Sequence, residues 1–131
     1  MKGEKVVVPI SGGIVSTTLL YYLNEKEFTV LPITFDWKQF KKTKAIEGIK
    51  RTCKKLNLPL KIVELRSLKD LLENAREDHR VVMNRDLIYL SISMAYALTI
   101  ECPLIYFPVY LTDLNHAPQI HDYAEILRNT I

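Results

Sequence analysis

Cysteine, glycine and one-sided charge are all scarce in this chain. Two cysteines among 131 residues, Cys53 and Cys102, stand far apart and outside any Cys-x-x-Cys pair. That spacing argues against a disulfide framework or a cysteine zinc site, and both read as buried thiols. His79, His116 and His121 lack the HxxxH or HxxEH spacing of metal-binding helices, so the residues themselves spell out no metal site. No apolar run reaches bilayer length. The basic start, apolar stretch and small-residue cleavage site of a signal peptide are missing as well. The expectation is a cytoplasmic protein without a membrane segment. Charge is nearly balanced, with 18 Lys and Arg against 15 Asp and Glu and a net +3. The excess gathers in Lys38, Lys41, Lys42, Lys44, Lys50, Lys54 and Lys55. Lacking interleaved arginine and aromatics, this segment reads as a solvated helix face before it reads as a nucleic-acid site. Repeats and low-complexity linkers are absent too, and the length suits one core, so residues 1–131 are taken as a single domain.

What is present is an alternation of short apolar runs with helical patterns. Residues 5–10 (KVVVPI) form a β-branched run of the kind found in strands covered on both faces. Residues 15–24 place Leu19, Leu20 and Leu23 at helical spacing. A second strand is expected over 28–35, a helix over 43–56, a third strand over 60–65 and a short helix opening at Ser67. A long apolar helix follows over 85–100, then a fourth strand over 104–109 and a last helix over 120–127. Such alternation implies βαβ units: an α/β fold with a parallel twisted sheet and helices on both faces. Ligands of these sheets bind beyond the carboxyl ends of the strands. That rule singles out residues 11–17, 36–39 and 109–118.

The first of these is a glycine-rich turn from a buried strand into a helix. Gly12 and Gly13 permit positive φ and close backbone approach. The helix that follows offers unpaired N–H groups and the positive end of its dipole, and Ser11, Ser16, Thr17 and Thr18 add hydroxyls. Such a turn suits the phosphates of a nucleotide. A plain Gly-Gly turn with a serine N-cap and no ligand is the competing reading. Neither a Walker A loop nor a GxGxxG fingerprint is present.

The string SGGIVSTTLLYYL resembles the SGGxDS signature of the PP-loop ATP pyrophosphatases, an adenine nucleotide alpha hydrolase-like fold, and most of all the 7-cyano-7-deazaguanine synthase family. Thr34-Phe35-Asp36-Trp37-Lys38-Gln39 is similar to that family's TFDYGQ, and residues 84–92 (NRDLIYLSI) to its NRNLIFLSI. Thr112, Asp113 and Pro118 resemble its loop after strand four. Four motifs in order cover most of the chain. The resemblance implies ATP-dependent activation of a 7-deazaguanine carboxylate for reaction with ammonia, with ATP and magnesium as cofactors and a small-molecule carboxylate as partner. It places Ser11, Gly12, Gly13, Ser16 and Thr17 at the pyrophosphate end of ATP, and Phe35, Asp36 and Gln39 beside the adenosine. Arg85 and Asp113 would then be catalytic, Arg85 facing the phosphates or the substrate.

Several positions depart from the family pattern. Val15 replaces the signature's acidic residue, Lys38 its glycine, and Phe40 and Lys41 its Arg-His. Gln119, Ile120 and His121 replace an acidic-Cys-Arg run, and these residues do not reach the family's C-terminal zinc-binding cysteines. Three readings follow: an ATP-dependent ligase of this type, a degenerate paralogue binding nucleotide or a partner protein without turnover, and a basic RNA-binding module resting on the lysine helix alone. Trp37 suits stacking on a purine or burial. Asp36 suits ribose or metal recognition or a simple turn. The apolar segment 88–109 suits a homodimer face as well as a core.

Overall fold

The computed structural model describes residues 3–11, 13–37, 43–74 and 85–107. Its elements run β1 (Lys5–Pro9), α1 (Ile14–Glu25), β2 (Thr29–Asp36), α2 (Thr43–Lys55), β3 (Lys61–Glu64), α3 (Arg66–Asn74) and α4 (Arg85–Thr99). These match the expected elements to within about two residues at each end, as boundaries commonly do. The helix expected over 120–127 lies outside the described residues.

The three strands form one parallel sheet in the order β1-β2-β3. On the other side of β1, Val7 forms a parallel bridge with Ile105. Spatially the order is therefore β3, β2, β1 and the segment at Ile105. The chain winds outward from β1 and then returns to its free edge, which puts a topological switch point beside β1. Val6, Val7 and Val8 are wholly buried, as a strand covered on both faces requires. Val6, Val8, Leu20, Leu23, Val30, Ile49 and Cys53 make a core beneath α1 and α2. Val7, Ile33, Phe35, Trp37, Leu65, Ala97 and Cys102 make the other beneath α3 and α4. Helices thus cover both faces. Burying Leu20 and Leu23 contributes roughly 1.5–3 kcal/mol each, which fixes α1 over the sheet and sets the direction of its N-terminus.

Two prolines are accommodated by strand geometry. The Ile33 carbonyl accepts from the Ile10 N–H at 2.9 Å, and the Asp36 carbonyl accepts from the Leu65 N–H at 2.8 Å. Odd residues of β2 therefore face β1 and even ones face β3. Pro32 faces β3, but pairing there starts only at Ile33 with Lys61, so no rung is lost. Pro9 has a larger effect. The Val7 N–H donates to the Leu104 carbonyl at 2.9 Å, and the Tyr106 N–H donates to the Val7 carbonyl at 3.0 Å. The next rung would need an N–H at residue 9, and proline has none. The strand expected over 104–109 is accordingly a single bridge at Ile105 as far as Phe107, the last residue described.

Candidate functional site

β1 ends at Pro9, and Ile10 still donates to Ile33 before the chain turns into α1. Gly13 is the N-cap of that helix, with φ −78° and ψ 174° and no side-chain capping bond. The glycine freedom is not used here, and the serine cap of the ligand-free reading does not form. Gly13 needs no positive φ, since its extended conformation is open to any residue. Ser16 is buried, and its Oγ accepts from the Ser11 N–H at 3.3 Å, so it pins the turn from within. Thr17 and Thr18 donate their hydroxyls back to the carbonyls of Gly13 (3.2 Å) and Ile14 (2.7 Å), a local pattern that competes with capping. No acidic residue occupies the first turn of α1. The positive end of its dipole is thus left unneutralised by the helix's own side chains.

Beside the turn, a small cleft is lined by Ile10, Ser11, Thr34, Phe35, Ala45, Ile46 and Tyr89. It sits at the carboxyl ends of β1 and β2, between the head of α2 and α4. Thr34 holds the two strand ends together by donating to the Ile10 carbonyl at 2.7 Å. Phe35 and Ser11 thus share one cleft. Asp36 closes β2, is half-buried, and meets Leu65 through its carbonyl. Trp37 is 1% exposed and its Nε1 donates to the Tyr89 hydroxyl. Burial, and not purine stacking, is its fate.

Gly12, Gln39 and Asp113 lie outside the described residues, as do Lys38, Asn84, Pro118 and the three histidines. Arg85 opens α4, which places its backbone at the carboxyl-end side with Tyr89 one turn further on. Ala45, Ile46 and Tyr89 had not been singled out in the sequence. For Tyr89 the signal was its place four residues after Arg85, on the same face of a helix. Both cysteines are free and buried, and burial pushes the Cys53 thiol up from its ordinary value, which makes it a poor nucleophile at neutral pH. Among the described residues no three His, Cys, Asp or Glu come together to hold a metal ion, and no helix is long and apolar enough to cross a membrane.

A parallel sheet, a switch point and a turn at Gly13 feeding a helix N-terminus define a parallel α/β domain, and solved structures carry the same fold. An NH3-dependent NAD synthetase from Campylobacter jejuni, in complex with the nitrate ion, superposes with a TM-score of 0.66 at 24% identity, over 87% of this chain and 51% of that one. The U34-tRNA thiolase NcsA from Methanococcus maripaludis, with its 4Fe-4S cluster, gives 0.68 at 23%, over 95% and 44%. The domain is thus of the PP-loop α/β type. The family profile described as queuosine biosynthesis protein QueC matches residues 5–127, and the chain belongs to that family. The 7-cyano-7-deazaguanine synthase of Methanoregula boonei is 37% identical over 83% of this chain and 57% of its own length. That of Caldicellulosiruptor bescii is 30% identical over 97% and 65%. The chain therefore spans under two thirds of the length of these curated relatives.

Proposed function

We propose that this chain carries the ATP-binding part of a 7-cyano-7-deazaguanine synthase-type ligase. The observation that carries this reading is the turn after β1. There a family match coincides with a helix N-terminus whose cap makes no side-chain bond and whose first turn holds no acid. Such a terminus attracts an anion. Ser11, Gly12, Gly13, Ser16 and Thr17 are assigned to the pyrophosphate end of ATP, and Phe35, Asp36 and Gln39 to the adenosine side of the adjoining cleft. Arg85 and Asp113 are assigned to the reacting groups.

In the proposed chemistry a carboxylate oxygen of 7-carboxy-7-deazaguanine attacks the α-phosphorus of ATP. Pyrophosphate leaves and an acyl adenylate remains. Ammonia displaces AMP to give the amide. A second ATP activates the amide oxygen in the same way, and loss of AMP and a proton yields the nitrile. Positive groups placed where phosphate charge accumulates supply most of the rate in such transfers. Among the described residues no three ligating side chains come together, and Val15 offers magnesium no oxygen, so a magnesium ion here would lean on phosphate and water oxygens. The α1 N-terminus is assigned to the phosphate charge.

Calorimetric titration with ATP, with and without magnesium, tests the reading together with pyrophosphate release. ATP should bind, and pyrophosphate should appear only when the carboxylate is supplied. Absence of ATP binding would overturn the assignment. Binding without release would favour the non-enzymatic paralogue, against the naming of its relatives as synthases.

A further inference from the structure

Three aromatic side chains meet at the wall of the cleft. Phe35 of β2 stacks on Tyr89 of α4 with ring centroids 4.3 Å apart and planes 8° from parallel. Trp37, just beyond β2, lies 6.2 Å from the same ring at 49°, and its indole N–H donates to the Tyr89 hydroxyl. A tyrosine ring has two side-chain torsions. The stack holds its face and the hydrogen bond holds its tip, so both torsions are constrained. Phe35 and Tyr89 line the cleft alongside Ser11, while Trp37 is buried. Side chains join the end of β2 to the first turns of α4 here.

We propose that Tyr89 is a positioning residue of the nucleotide cleft, held in place by Phe35 and Trp37, and that Trp37 registers occupancy of the cleft through it. This role rests on the nucleotide reading given above. It goes further in naming a residue set that shapes the cleft without belonging to the phosphate turn. An occupant pressed against the Tyr89 ring changes the environment at its hydroxyl, and the hydrogen-bonded indole is the next group along. Trp37 is the single tryptophan of the chain, so intrinsic emission reports on this position alone.

The test combines calorimetric ATP affinity with Trp37 emission in the wild type and in Tyr89→Phe, which keeps the ring and removes the hydroxyl. Trp37→Phe, followed by calorimetry, removes the donor instead. ATP should shift Trp37 emission in the wild type and leave it nearly unmoved in Tyr89→Phe. Each variant should weaken ATP binding about threefold to tenfold, the range of one lost hydrogen bond. The double variant should lose less than the two single losses combined, since both delete the Trp37–Tyr89 bond. If Tyr89→Phe fails to fold, Trp37→Phe decides on affinity alone. Wild-type-like ATP affinity in a folded variant would overturn the positioning role and leave the nucleotide reading intact. A silent Trp37 in wild type that binds ATP would do the same. Absence of ATP binding by the wild type would overturn both.

Discussion

Gly13 lies at φ −78° and ψ 174°, within reach of any L-residue, so its substitution isolates the space beside the turn from backbone strain. Gly13→Ala should fold normally with its stability changed by less than about 1 kcal/mol, because the freedom lost by the unfolded chain is offset by the poorer N-cap that alanine makes. Its ATP affinity should fall by about tenfold, some 1.4 kcal/mol, if the added methyl group stands where phosphate binds. Urea unfolding and calorimetry separate the two effects, and unchanged affinity would show that phosphate does not approach Gly13. Val15, half-buried in the first turn of α1, poses the complementary question. Val15→Asp brings a carboxylate to the mouth of the proposed phosphate site. It should strengthen ATP binding by roughly 1–3 kcal/mol when magnesium is present and weaken it when magnesium is removed, since like charges then face each other. Titrating both proteins with and without the metal reads this reversal of sign. The same direction in both conditions would exclude a metal at this corner.

Among the elements, the helix ends were the least legible part of the sequence. α1, α2 and α4 all stop in the same way, with a non-glycine residue in the left-handed region: Glu27, Asn57 and Glu101, at φ 65°, 57° and 56°. Behind each lies the same pair of bonds. Phe28, Leu58 and Cys102 donate to the carbonyls of Leu23, Cys53 and Ala97, and the residue before each donates to Asn24, Lys54 and Leu98. This is the Schellman arrangement. Its apolar contact lies within one core cluster each time, pairing Phe28 with Leu23, Leu58 with Cys53, and Cys102 with Ala97. A sequence reader expects glycine at such stops, and here tertiary packing takes its place. The one glycine within α2, Gly48, is the opposite case. A Cβ there would meet only Arg51 Nη2, at 3.8 Å. Gly48→Ala should therefore stabilise the protein by about 0.5–1 kcal/mol, seen as a higher urea midpoint with unchanged slope. A loss of stability would mean that the half-buried face of α2 has no room for a methyl group.

For the whole molecule, the alternation of β-branched runs with 3.6-residue periodicity carried the fold class, because a parallel sheet buried on both faces leaves that mark directly on its strands. Residues 5–10 were legible as a central strand for this reason. The break from strand to helix, the turn here assigned to phosphate, was legible from Ser11 and Gly13, and the quoted motifs identified the family. The composition of the cleft was not. Thr34, Ala45, Ile46 and Tyr89 come from β2, α2 and α4, and no local pattern announces that three separate elements meet. Nor does periodicity tell whether an aromatic at a strand end faces ligand or core. Trp37 faces the core because the Tyr89 hydroxyl supplies a partner for its indole N–H, as a buried tryptophan requires.

Pro9 interrupts the ladder between β1 and the segment at Ile105, directly beneath the turn assigned to phosphate. Pro9→Val would supply the missing N–H for the Tyr106 carbonyl. One added bond is worth about 0.5–1.5 kcal/mol, while the unfolded chain gains back roughly 0.4–1 kcal/mol of freedom when proline is removed. The two nearly cancel, so the thermal midpoint should scarcely move. What changes is the seam at the switch point, which can then zip one rung further. The new amide at position 9 should exchange slowly with deuterium. A rapidly exchanging amide at that position would show that the seam stays open for a reason other than the proline. On this view Pro9 sets where the seam beside β1 ends, at almost no net cost in stability.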